Sequence, residues 1–362
     1  MESNIFIGIF LHALGGIAAA TCFVPQKGTT RWSYQSFWLL MTFSAWMVIP
    51  IVAAYFTVPG LWQVIQGVEL KTLIYTTLLG AVYGFGGMAF GMAIRYIGFS
   101  LTYAIAIGIS AILGTVVPGL IAGTLLESFE KPGGTILFTG FGISMIGIFF
   151  CGFAGSLKNK EVTATDTSFD LKKGLTLAVI AGVLSASFGL ALSIAAPLDQ
   201  LAAAHGAGQF QSNVSYIFAM GGAFLTNLIW WGIVHFRKNT WREYLAFQET
   251  PEEAETSGTS KKRGSLPTHY LFAILGGTLW YVQFFFYGLG HSRMGDLKFI
   301  SWGIHMAMLI FFSFGIGLIL KEWKGLSGKT IGTLIVGLVI LLISFGMITY
   351  AGALAEQATA GH

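Results

Sequence analysis

Charge is scarce in this sequence. Asp, Glu, Lys and Arg make up only 10% of its 362 residues, against a hydrophobic share of 54%. A soluble domain is normally about a quarter charged, so this chain cannot cover a water-facing surface. Cysteine is scarcer still. Cys22 and Cys151 are the two present, both in apolar runs, so they carry no information on a disulfide framework and read as small packing residues. No basic residue precedes the first apolar run, and the first is Lys27. A secretory leader carries Lys or Arg ahead of its apolar core, so the run is expected to stay in the protein as a first transmembrane helix.

Other absences narrow the function. No carboxylate falls in the middle of an apolar run: Glu127, Asp199, Asp296 and Glu322 all lie at ends or between runs. No set of His, Cys and carboxylates has metal-ligand spacing, so no metal is expected. The GKT at 328–330 resembles the end of a phosphate loop, but the Gly required five positions earlier is Trp323. Without a nucleotide site, energy must come from a gradient or another subunit. An enzyme needs a nucleophile or metal set at one depth, and a sensor needs a folded signalling domain. Neither is legible.

What the chain does have is long apolar runs. A spanning helix takes about 20 mostly apolar residues. Ten segments qualify, roughly 4–24, 36–56, 72–94, 100–122, 134–154, 172–194, 212–236, 268–288, 299–320 and 329–350. They are too long and too uniformly apolar for barrel strands. The fold expected is an all-α integral membrane protein. Its 48 glycines suit close helix packing in lipid.

The basic residues orient the chain. Only Lys71, Lys131, Arg293 and Lys298 of the 20 Lys and Arg fall outside the loops after spans one, three, five, seven and nine. Basic loops stay cytoplasmic, so both termini are expected on the outer side. The formal charge of +4 is concentrated in these loops and calls for no nucleic-acid partner. The segment 158–171 reads as a cytoplasmic linker dividing the spans into halves, 1–157 and 172–362. The polar stretch 237–267 reads as a flexible cytoplasmic loop. Five spans per half is an odd number, so halves sharing a fold would be related by inversion, a common transporter design. GIFLHALGGIAAA at 8–20 can be laid on GLTLAVIAGVLSA at 174–186, matching Gly8, Leu11, Gly16 and Ala20 with Gly174, Leu177, Gly182 and Ala186.

The candidate functional residues are the polar groups at membrane depth. His12 sits near the middle of span one, in a small and polar stripe with Asn4, Gly8, Gly15 and Ala19. His305 lies one helical turn from Ser301, beside Trp302. Each histidine either ties two helices together or serves substrate and proton, since imidazole titrates near neutrality. In GGTLWYVQFFFYGLGH, at 276–291, Trp280, Gln283, Tyr287 and His291 fall within about 80° on one helix face, flanked by Phe284. An interfacial aromatic belt accounts for Tyr287 and His291. It does not account for Trp280 and Gln283, which are deeper, and an amide facing lipid would lose its hydrogen bonds. Aromatic faces, an amide and imidazole suit a neutral polyol. Asn227, deep in span seven, must also be bonded and is a further cavity candidate. Arg95, ending span three, is either a snorkelling anchor or a gate.

The segments GIFLHALGG, CFVPQK, GMAIRYIG, AIAIGI, LWYVQFFFYGLGHSR, ISWGIHM and LKEW resemble the L-rhamnose-proton symporter family of the drug/metabolite transporter superfamily, nearly end to end. The resemblance implies ten helices in two inverted halves, residence in the bacterial inner membrane, and import of L-rhamnose, with L-lyxose or L-mannose as further cargo. It implies no cofactor, only the proton as coupling ion, and partners limited to a monosaccharide, protons and the bilayer, in a monomer or weak dimer. Within the matching segments it extends to His12, Arg95, Trp280, Tyr281, Gln283, Tyr287, His291 and His305. His12 or His305 would carry the proton, with Asp296 or a water as the alternative. The family's Asn-rich stretch before Arg95 is replaced here by GFGGMAFGMAIR, so the cargo stays open between rhamnose and another sugar or metabolite, moved inward, outward or by exchange.

Overall fold

The structure is a computed structural model describing residues 5–121, 130, 132–161, 169–245, 265–293 and 301–360. Half of the 158–171 linker, most of the 237–267 loop, and Glu127 and Asp296 lie outside these residues, as do the side chains of Ser301 and Trp302. Among the described residues the chain is helical and contains no strand. That follows from the composition, because a backbone in hydrocarbon must satisfy its own hydrogen bonds. The outward faces are apolar, with Phe6 86%, Phe56 78% and Ile229 65% exposed. These are the faces of helices that meet lipid.

The chain begins with α1 (Ile5–Thr21) and a tight turn at Val24–Gly28. Then follow α2 (Tyr34–Thr57) and the short α3 (Leu61–Gln66). Next come α4 (Leu70–Ile121), α5 (Gly134–Glu161) and α6 (Leu171–Ile194). A short α7 (Ala196–Ala204) leads to α8 (Asn213–Lys238). The last three are α9 (Leu266–Arg293), α10 (Ser301–Ile319) and α11 (Gly328–Ala360). Eight helical segments among the described residues are long and apolar enough to cross a membrane, where ten runs were expected. The two expected at 72–94 and 100–122 are one helical element, α4, and the apolar part of α10, Ile304–Ile319, is short.

The α4 element is not a straight rod. Gly98 has φ 82° and ψ 178°, a conformation that side chains rarely adopt. The rings of Phe90 and Tyr103 are 4.8 Å apart, although thirteen residues of straight helix would separate them by about 20 Å. The chain therefore folds back at Gly98. The second arm starts with two orphan backbone N–H groups, and the Glu322 carboxylate accepts both, from Phe99 at 2.7 Å and Ser100 at 3.4 Å.

Helix α1 packs between α9 and α10, α4 packs on α6 and α8, and α5 packs on α11. Glycine permits the closest approach. A Cβ on Gly80 would stand 1.9 Å from the Ala219 carbonyl oxygen, and one on Gly222 would stand 1.9 Å from that of Thr77. Helix α2 contains one wide turn, Ser44–Val48, just before Pro50, and it carries Trp46 into the core. The region expected to be a loose loop from 237 is ordered at its start. Residues Thr240–Tyr244 form a tight helical turn. The Glu243 carboxylate accepts from Ser33 N at 2.7 Å and from the Ser33 and Ser36 hydroxyls at 2.9 and 2.6 Å. Those charge-assisted bonds fix a segment whose composition reads as flexible.

Candidate functional site

A cavity of about 310 Å³ lies between α1, both arms of α4, α6, α9 and α10. Its polar and aromatic lining includes Tyr83, Tyr103, Trp280, Gln283, Tyr287 and His305. The volume sits at the lower end of the ~300–1,000 Å³ typical of small-molecule sites, enough for one sugar ring. No Asp, Glu, Lys or Arg lines it among the described residues.

Trp280 is buried at the centre of an aromatic cluster. Its ring centroid lies 5.1 Å from Trp46, 5.2 Å from Phe23 and 5.8 Å from Trp38, all edge-on. These contacts hold the indole by dispersion and quadrupole preference, in one orientation. Gln283, one turn later on α9, makes no hydrogen bond to protein among the described residues and borders the cavity. An amide so placed is a ready donor and acceptor for hydroxyl groups.

On the side of the cavity nearer the N-terminus of α1, four rings form a chain. Tyr287 lies 5.2 Å from His305, 5.7 Å from His12 and 6.0 Å from His291, and His12 lies 5.9 Å from His305. Tyr287 and His305 reach the cavity. His12 and His291 stand behind them. His12 is fully buried, and its two ring nitrogens have no hydrogen-bond partner among the described residues. Glycines bring the helices this close: a Cβ on Gly15 would meet the His305 ring at 2.9 Å, and one on Gly290 would meet the His12 ring at 3.0 Å.

Three further residues lie elsewhere. Asn227 is fully buried, and its amide is engaged by three helices: it accepts from Trp38 Nε1 at 2.5 Å and donates to the carbonyls of Gly84 at 3.3 Å and Ala223 at 2.9 Å. It does not line the cavity. Tyr281 points the other way from Trp280, donating to Asn213 Oδ1 at 3.1 Å. Arg95 borders a second cavity, at the end of the molecule rich in lysine, and its guanidinium lies 4.7 Å from the Tyr34 ring centroid. A cation held on an aromatic face is more than a loose anchor.

Sequence reasoning did not find Tyr83, Tyr103, Phe188 or Phe23, which also line the cavity. The signal was present for two of them: Tyr83 and Tyr103 are tyrosines well inside apolar runs, the same misfit that singled out Trp280. The Tyr103 hydroxyl donates to the Ala19 carbonyl and ties the second arm of α4 to α1.

The L-rhamnose-proton symport protein (RhaT) family matches residues 1–354. The chain belongs to the L-rhamnose-proton symporter family. It is 32% identical over 350 residues to the L-rhamnose-proton symporter of Pectobacterium atrosepticum, covering 96% of this chain and 98% of the relative. The symporters of Mannheimia succiniciproducens and Citrobacter koseri are 33% and 32% identical over the same 96% and 98%. The symporter-family match spans every residue that lines the cavity.

Proposed function

We propose that this protein imports L-rhamnose together with protons across a bacterial inner membrane by alternating access. The observation that carries the reading is the cavity at membrane depth, uncharged among the described residues, with Trp280, Gln283, Tyr287 and His305 on its wall. A deoxyhexose has one apolar face and several hydroxyls. The indole offers a surface for its C–H groups, and the amide, phenol and imidazole offer partners for its hydroxyls. The relatives' shared name, L-rhamnose-proton symporter, supports the same cargo.

His12 and His305 are the proposed proton carriers. An imidazole that gains a proton becomes a donor at both nitrogens. His305 borders the cavity, so its charge state alters the hydrogen bonds offered to the sugar, which is the differential affinity that coupling requires. His291 is the outward member of the ring chain in this reading, and Arg95 serves at the opposite end. No cofactor other than the proton is needed, and a monomer or weak dimer suffices.

Ten spans in two inverted halves complete the proposal. The fold-back at Gly98 divides α4 into two arms, and α10 with 19 residues approaches span length. The packing supports an exchange of halves. Gly16 meets α10 at Met308, while its sequence counterpart Gly182 meets the second arm of α4 at Ile109 and the Ala106 carbonyl. Gly277 of α9 packs on α2 at Met41, and Gly80 of the first arm of α4 packs on α8 at Ala219. Both pairings transform into each other when the halves are swapped. The distribution of Lys and Arg supports both termini on the periplasmic side.

The test is uptake of radiolabelled L-rhamnose into proteoliposomes, with and without an inward proton gradient. Accumulation that requires the gradient and collapses with a protonophore is expected. Gln283→Ala is expected to raise KM roughly tenfold or more, the effect of losing about 1.4 kcal/mol of hydrogen bonding. Gradient-independent exchange would remove the coupling, and no rhamnose movement in folded protein, with L-lyxose or another sugar moving instead, would change the cargo.

A further inference from the structure

The second cavity, about 660 Å³, opens at the basic end of the molecule, where Lys27, Arg95, Lys158, Lys321 and Lys324 surround it with Glu161 and Glu322. One residue borders both this vestibule and the central cavity: Phe23. Its chain neighbours divide between them. Cys22 lines the central cavity, while Gln26 and Lys27 line the vestibule. Across this stretch the backbone passes from one compartment to the other, with Phe23 at the boundary.

The ring is suited to move. Phe23 is 4% exposed, and its ring contacts are aromatic: Trp280 at 5.2 Å, Trp38 at 5.7 Å and Phe90 at 6.0 Å. Swinging it aside breaks dispersion contacts but leaves no polar side-chain atom unpaired, so the cost is free of the desolvation penalty that locks a hydrogen-bonded plug. Phe23 also sits at a break in the helix. Helix α1 ends at Thr21 and the tight turn with Pro25 begins at Val24, so Phe23 lies at the junction between them. Its edge contact with Trp280 links it to the residue proposed to stack on the sugar. Departure of the sugar from Trp280 changes the packing on one face of Phe23.

We propose that Phe23 is the gate between the sugar cavity and the basic vestibule, and that the vestibule is the path by which sugar leaves the central cavity on that face of the membrane. The assignment of the vestibule to the cytoplasmic side rests on the reading given under Proposed function. The barrier itself does not.

Cys22 is a built-in reporter, because it lies on the cavity side of the barrier and the sequence holds one other cysteine, Cys151. In a Cys151→Ser background, a membrane-impermeant maleimide is applied separately to right-side-out and inside-out vesicles, with and without Phe23→Ala. The parent is expected to label slowly from the vestibule face. Phe23→Ala is expected to label roughly tenfold faster or more from that face, since reaction of a thiol behind a barrier follows the open population. Phe23→Trp is expected to label as slowly as the parent, and Phe23→Leu, which keeps more of the packing, covers the case in which the alanine variant does not fold. Unchanged labelling in a variant that melts like the parent, or acceleration only from the opposite face, overturns the gate. In rhamnose-loaded proteoliposomes the same alanine variant is expected to lose gradient-driven accumulation. Absence of rhamnose movement in the parent would sink the cargo reading while leaving the labelling result intact.

Discussion

Asn227→Leu provides a decisive test of what a buried amide does in this fold. The leucine is close in size, so the change removes polar contacts more than volume. Two bonds between helices disappear, from Trp38 Nε1 and to the Gly84 carbonyl, and the third, to Ala223, is within α8 itself. In a soluble core, each buried group left unpaired would cost about 1–3 kcal/mol. Inside a bilayer the measured worth of a side-chain bond is smaller, about 0.6 and at most about 1.7 kcal/mol, because the separated helices also find partners. Two bonds therefore predict a loss of roughly 1–3 kcal/mol, with the 2.5 Å indole bond the larger share. The assay is thermal denaturation in detergent, combined with a double-mutant cycle through Trp38→Phe. The two changes should be non-additive by at least about 0.5 kcal/mol, as expected for direct partners. Transport KM in the surviving fraction should match the parent. A variant of parental stability whose KM rises tenfold would refute this account and return Asn227 to the sugar site.

Other outcomes follow from the same geometry. Gly222→Leu is expected to abolish folded protein, measured as monodisperse material after extraction, because even a Cβ there would overlap the Thr77 carbonyl oxygen at 1.9 Å. Burial pushes the Asp199 carboxyl up to about 6, with donors on Ser215 and Ser212 only partly offsetting it. A carboxyl raised above its ordinary 3.8 holds a proton that the unfolded chain has released, so it favours the native state below that value and its contribution is lost as pH rises to about 6. Asp199→Asn should therefore flatten melting temperature against pH between about 4 and 6, and a slope equal to the parent's would show that another group titrates. Glu322→Ala removes the acceptor for the N–H groups of Phe99 and Ser100. It should lower stability by about 1 kcal/mol, as for a lost helix cap, and a parental melting curve would contradict the capping role.

The residues differ in how far they could be read from sequence. Trp280, Gln283 and Tyr287 were legible because helical periodicity is local: residues three and four apart share a face whatever surrounds them. His305 was legible as a buried ionisable group, and it does reach the cavity. Asn227 and Gln283 illustrate the limit. Both are amides deep in apolar runs, and the cost of burying an amide says only that each needs a partner. Which partner depends on the neighbouring helix: Trp38 and Gly84 meet Asn227, whereas Gln283 meets a cavity. The ordered start of the 237–267 segment was hidden for a similar reason, since its anchor Glu243 binds Ser33 and Ser36, some 210 residues earlier.

The sequence by itself determined the class of the molecule. Scarce charge and long apolar runs force a helical membrane protein, and the placement of Lys and Arg carries the proposed orientation, because lipid imposes those terms on each segment separately. The tertiary structure decided what no segment contains. The fold-back at Gly98 brings Tyr83 and Tyr103 to one cavity with Trp280 and His305, and Phe23 borders both that cavity and the vestibule. These are contacts between faces of different helices, and they are set by how glycines at the crossings let those helices approach.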